Sequence, residues 1–193
     1  MGILTQGVVV AALVTAMAAA LGWFVAHHLQ ARRADDERRA KAELEFLERQ
    51  IEELYGPLSS LLHEGRRSFE DLCLSLGRNY IFPSSGMLPT NELNTWIYWA
   101  ETEFLPRNQR IKELLSTKAH LIQGADFPTS YVDFFDHASS WATNHRRWKD
   151  QDVPYSWRSR VPWPIAFEAD VHITFRELKQ RHNVLLGRIS AQK

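Results

Sequence analysis

Residues 7–26 read GVVVAALVTAMAAALGWFVA, an apolar run in which Thr15 is the one weakly polar side chain. At about 1.5 Å per residue, a helix of this length spans about 30 Å, the thickness of bilayer hydrocarbon. A helix also satisfies its backbone polar groups internally, as lipid demands. Trp23 lies near one end, where interfacial aromatics belong. A cleaved signal peptide is the competing reading, with Ala16-Met17-Ala18 as its cleavage site. Against it, residues 1–6 (MGILTQ) carry no Lys or Arg, and the run is longer than a usual signal core. The sequence therefore predicts a retained transmembrane helix over residues 7–26, with the lipid bilayer as its partner and residues 1–6 as a short terminus.

Flanking charge sets the orientation. No Asp, Glu, Lys or Arg occurs in the first 31 residues, and Arg32, Arg33, Arg38, Arg39 and Lys41 follow the span closely. The positive-inside rule places that side in the cytoplasm, so the N-terminus is expected outside and the C-terminal domain in the cytosol. The single cysteine, Cys73, cannot form an intrachain disulfide and reads as a small buried apolar residue. Over the whole chain 23 basic residues balance 23 acidic ones, so the basic surplus of a nucleic-acid binder is missing and no nucleic-acid partner is expected.

Residues 27–62 are expected to form a helical stalk. From residue 34 they are rich in Ala, Glu, Arg and Leu, all good helix formers. Asp35–Arg39, Glu37–Lys41 and Glu45–Arg49 place acid before base at i, i+4. Leu44, Leu47, Ile51, Leu54, Leu58 and Leu61 are spaced 3, 4, 3, 4, 3, an a/d seam. That seam serves either self-association of parallel stalks or docking of one helix on its own domain. Gly56-Pro57 interrupts the helix, since Pro57 offers no N–H to the Glu53 carbonyl and its ring crowds that group. The apolar phase nonetheless runs on from Ile51 through Leu61, which predicts a kink, with Gly56 and Pro57 as hinge candidates.

Residues 63–193 read as a helical domain. Residues 79–89 (NYIFPSSGMLP) are loop by their Pro, Gly and Ser content. A helix starts near Thr90, with Leu93, Trp96, Ile97, Ala100 and Phe104 as its stripe, and Pro106 ends or kinks it. The next helix carries Ile111, Leu114, Leu115 and Ile122 and is expected to stop at Gly124. Tyr131, Phe134, Phe135, Ala138, Trp141, Ala142, His145 and Trp148 mark the buried face of a third, at a period of 3.6. A last helix runs from about residue 164 to 186. No strand-like alternation appears, so the prediction is an all-α fold: one transmembrane helix, a kinked stalk, and a bundle of four to five helices.

Leu54-Tyr55-Gly56-Pro57-Leu58, following a single N-terminal span, resembles a pattern in uncharacterised bacterial single-pass membrane proteins. The resemblance covers about the first third of the chain. It implies architecture only and no activity; the anchored chain itself is expected in the bacterial inner membrane.

Chemical motifs are sparse. Asp133–His137 and Glu168–His172 are carboxylate–imidazole pairs at i, i+4, the low-ranking candidates for a metal or acid–base site. A di-iron bundle would need Glu-x-x-His, which is absent, and His63-Glu64 lacks the second His of a zinc protease motif. No phosphate loop, dinucleotide fingerprint or nucleophile elbow occurs, so no catalytic residue, metal or cofactor is expected. The most unusual stretch is 144–164, NHRRWKDQDVPYSWRSRVPWP. It sets Arg146, Arg147, Lys149, Arg158 and Arg160 against Asp150 and Asp152, interleaved with Trp148, Tyr155, Trp157 and Trp163. Arg and Trp dominate interface hot spots. Three roles compete for it: Trp rings roofing the bundle, a protein-facing surface, and contact with anionic lipid. The leading expectation is a membrane-anchored interaction or scaffold module that recruits a partner protein. The alternatives are a membrane-bound bundle enzyme with a carboxylate–His site, and a signalling or defence accessory subunit.

Overall fold

The computed structural model describes the backbone of residues 2–83, 88–153, 157 and 159–191; side chains are described from residue 17 onward within those stretches, except at 18, 19 and 191. Among the described residues all regular structure is helical. Helix α1, Gly2–Arg49, passes through a π-turn, Gln50–Tyr55, into α2, Gly56–Ser75. Helix α3, Thr90–Trp99, passes through a second π segment, Ala100–Phe104, into α4, Leu105–Thr117. Helices α5, Thr129–Gln151, and α6, Ile165–Ala191, complete the order. The described chain thus contains four helical rods: α1–α2, α3–α4, α5 and α6.

Both π segments answer a proline. The N–H of Gly56 donates to the Ile51 carbonyl, and that of Leu105 donates to the Ala100 carbonyl, each five residues back. Pro57 and Pro106 come one residue later. The wider turn takes up the mismatch that each missing N–H creates in the ladder. The rod stays helical through Gly56-Pro57, as the unbroken apolar phase requires.

The chain divides into two compact units, Leu47–Asn183 and a second made of Met1–Phe46 with Val184–Lys193. The first holds every side chain described as buried. The expected stalk, 27–62, therefore ends inside this body. Leu47, Leu54 and Leu58 are fully buried there, and Ile51 and Leu61 are half-buried; Leu44, half-buried, belongs to the other unit. The central leucines of the seam thus dock on the chain's own core. In the second unit Trp23 and Phe24 stack on His27 and His28 one turn later, at 5.3 and 6.1 Å between ring centroids. Among the described residues no helix is long and apolar enough to cross a membrane. Most side chains of the run 7–26, at residues 7–16, 18 and 19, lie outside those described.

Tertiary contacts also shorten α4, which ends at Thr117 and not at Gly124. Thr117 Oγ1 donates to the Glu113 carbonyl at 2.6 Å, and a 3-10 turn, Ala119–Leu121, follows. That turn drops Leu121 into the core at 0% exposure. Gln50, itself buried, donates to the Leu121 carbonyl at 2.8 Å. Leaving the helix early costs local hydrogen bonds and gains a buried leucine with its carbonyl satisfied.

Aromatic packing joins the rods of this body. Phe134 of α5 stacks on Phe167 of α6 at 4.6 Å, and Tyr131 meets the same ring edge-on at 5.0 Å. A separate cluster gathers Leu72, Cys73, Ile81, Leu88, Trp96, Ala100, Phe104 and Trp141. Trp96 and Trp141 stack there at 5.7 Å. Burial pushes the Cys73 thiol up, which keeps it protonated and unreactive.

Candidate functional site

The helical period of α5 sorts the basic, aromatic segment into two sets. His145 is buried and Trp148 half-buried, while Arg146 and Arg147 face solvent. After α5, Asp152 adopts the left-handed conformation (φ 52°) and donates its N–H to the Trp148 carbonyl, an αL cap that turns the chain back. Trp157, also left-handed (φ 62°), then lays its ring edge-on to Trp148 at 4.5 Å and packs on the Trp96–Trp141 cluster. Trp163 meets Phe134 at 5.9 Å and His137 at 5.4 Å, both edge-on. The described tryptophans of the segment are therefore engaged with the body. Arg146, Arg147 and Arg160 are exposed and make no ion pair among the described residues. Tyr155 and Arg158 lie outside the described residues.

A carboxylate that sequence reasoning missed completes this end of α5. Glu101, on the second π segment, accepts from His145 Nε2 at 3.1 Å and from Lys149 Nζ at 2.8 Å, both on Oε1. Those hydrogen bonds, Lys149's first, pull the Glu101 carboxyl below its usual range, and Glu101 in turn pushes the Lys149 ammonium up. Lys149 is thereby neutralised. Arg146 and Arg147 share this exposed end of the helix with Asp150 and Asp152. No local signal could have linked Glu101 to α5, because the partners are 44 and 48 residues apart.

An open cleft of about 620 Å³ lies between α2 and the α3–π segment. Arg67, Glu70, Asp71 and Leu74 line one wall, and Tyr98, Trp99 and Glu103 the other. Leu74 is 76% exposed and Tyr98 66%, values that stand out for large apolar side chains. Arg107, buried in α4, braces both walls: its Nη2 donates to Ser68 Oγ at 3.1 Å and to Glu103 Oε2 at 2.8 Å. The available sequence signal was that Leu74 and Tyr98 fall off the apolar stripes of their helices.

The carboxylate–imidazole pairs do not form one site. Asp133 is exposed, whereas His137 is buried with Nδ1 2.7 Å from the Val161 carbonyl, to which it donates. Glu168 is held by Arg66 at 2.8 Å, with His172 Nε2 at 3.9 Å, and His172 Nδ1 pairs with Ser59 Oγ at 3.1 Å. Among the described residues no three His, Cys, Asp or Glu side chains are grouped to hold a metal ion. The hinge candidates are packed in place. A Cβ on Gly56 would stand 2.6 Å from the Ile51 carbonyl oxygen and 3.8 Å from a ring carbon of Phe175.

No family model, curated protein or solved structure matches the chain.

Proposed function

We propose that this chain is a membrane-anchored helical interaction module that recruits a partner protein through the basic end of α5. One observation carries the reading: Arg146 and Arg147 stand exposed without ion pairs among the described residues, on a helix end fixed by the Trp148–Trp157 contact. The helix backbone beneath them is already ordered, so binding has only the arginine side chains to immobilise, and arginine recognises carboxylates through two parallel hydrogen bonds. Residues 7–26 serve as the single transmembrane helix, with the N-terminus outside and the body in the cytosol, as in the bacterial inner membrane. Two features support the anchor. The backbone is helical from Gly2 to Arg49. Leu21, Trp23, Phe24, Val25 and Leu29 are each more than half exposed, which suits lipid as surroundings.

The test is cross-linking in native membranes followed by affinity capture, for wild type and for Arg146→Glu/Arg147→Glu. The double variant is expected to lose the captured partner while the melting temperature of the body stays within about a degree or two, because neither side chain is packed. An unchanged cross-linking pattern overturns the reading. Extraction of the wild type by alkaline carbonate overturns the anchor.

A further inference from the structure

We propose that the cleft between α2 and the α3–π segment binds a small organic cation, an ammonium group carried on an apolar body. The inference goes beyond the partner-binding reading and does not depend on it. Three observations carry it.

First, the charges that line the cleft leave one carboxylate unmatched. Arg67 pairs with Glu70 at 3.4 Å. Arg107 is buried behind the wall, with 7% of its side chain exposed, and it meets Glu103 at 2.8 Å and Glu64 at 3.7 Å. Both guanidiniums therefore already face carboxylates. Asp71 lines the cleft, is exposed and has no ion pair among the described residues. An occupant that brings one positive charge complements it.

Second, the hydroxyls of the lining give their protons to the backbone. Thr102 Oγ1 donates to the Tyr98 carbonyl at 2.7 Å, and Ser68 Oγ donates to the Glu64 carbonyl at 3.0 Å. An ionised carboxylate accepts and does not donate, so Asp71 calls for a donor or a cation from the ligand.

Third, the remaining lining is aromatic and aliphatic. Tyr98 and Leu74 face the cleft from opposite walls, and both are largely exposed. Trp99 is half-buried and its ring is held by stacking on Phe104 at 6.2 Å. An aromatic face attracts a cation through its ring quadrupole, and a leucine shields the apolar body beside it. The volume of about 620 Å³ lies within the about 300–1,000 Å³ of small-molecule sites.

The experiment titrates benzyltrimethylammonium into the full chain in non-ionic detergent micelles, read by calorimetry against micelles alone. Wild type is expected to bind it saturably, and more weakly as salt rises. Tyr98→Ala is expected to weaken binding about two- to fivefold, the range of a cation–π contact at an exposed site. Asp71→Lys is expected to weaken it by more than about tenfold, since like charges then meet. Neither side chain is buried, so melting temperatures are expected to stay within about a degree or two of wild type. Should Asp71→Lys fail to fold, Asp71→Asn takes its place, with an expected loss of about two- to fivefold.

Absence of saturable binding to wild type overturns the inference, as does binding that the substitutions at Asp71 and Tyr98 both leave intact. Benzyl alcohol carries the ring without the charge, and equal binding of it overturns the assignment of a cation. Tighter binding of a blocked lysine tripeptide than of the probe makes a protein side chain the occupant and overturns the small-molecule assignment.

Discussion

His137 is a histidine whose surroundings disfavour its charged form. It is buried between Trp141 and Trp163, and burial pushes its pKa below the ordinary value, while hydrogen bonds to the backbone of Val161 and Pro162 oppose the fall. A folded pKa below the unfolded one means the unfolded chain binds the proton more readily. The contribution of His137 is therefore complete above about pH 6.5 and is lost as pH falls through the folded value. Thermal melts across that range should show a falling melting temperature toward acid, and His137→Asn should flatten the fall relative to wild type. The tryptophans behave differently from the arginines beside them. Trp157→Ala removes a ring packed on Trp148 and the central cluster. Because Trp157 is only half-buried, the expected loss lies below the about 3–5 kcal/mol of a fully buried tryptophan. Chemical denaturation should register that loss, and Arg147→Ala should leave the midpoint unmoved. The interleaving of Arg with Trp was legible in the sequence. The division of labour was not, since Trp157 reaches its place only through a left-handed backbone and a distant cluster.

At the scale of elements, the proline-linked π-turns are the least expected feature. Sequence reasoning predicted a kink rather than a loop at Gly56-Pro57, because the leucine phase does not break. It had no access to the five-residue hydrogen-bond register, which brings the Ile51 carbonyl to where a side chain on residue 56 would start. Gly56→Ala should consequently strain the turn and destabilise the body by about 1–3 kcal/mol, the usual penalty for overpacking. Urea unfolding checks this, and a neutral result would mean that the carbonyl gives way freely. The end of α4 was misplaced for a related reason. Gly124 is a good stop signal, but Gln50 and the pocket for Leu121 end the helix sooner, and neither is near in sequence.

For the whole molecule, burial is confined to Leu47–Asn183, the unit that contains every side chain described as buried. A chain of residues 47–183 should therefore unfold in one cooperative transition without the N-terminal helix. Calorimetry or urea denaturation of that fragment tests it, and a broad, non-cooperative melt would show that the second unit is needed. The all-helical class, the chain order of the rods and most buried stripes were set by sequence alone. Periodicity, helix formers and prolines act over one or two turns, and the sequence displays that range directly. The apolar run 7–26 belongs to the same category, as a property of consecutive residues. Only the tertiary structure decided that the leucine seam is consumed internally, that Glu101 neutralises Lys149, and that a cleft opens beside Tyr98. Each of those outcomes depends on which faces of distant helices meet, and that choice comes from packing many side chains at once.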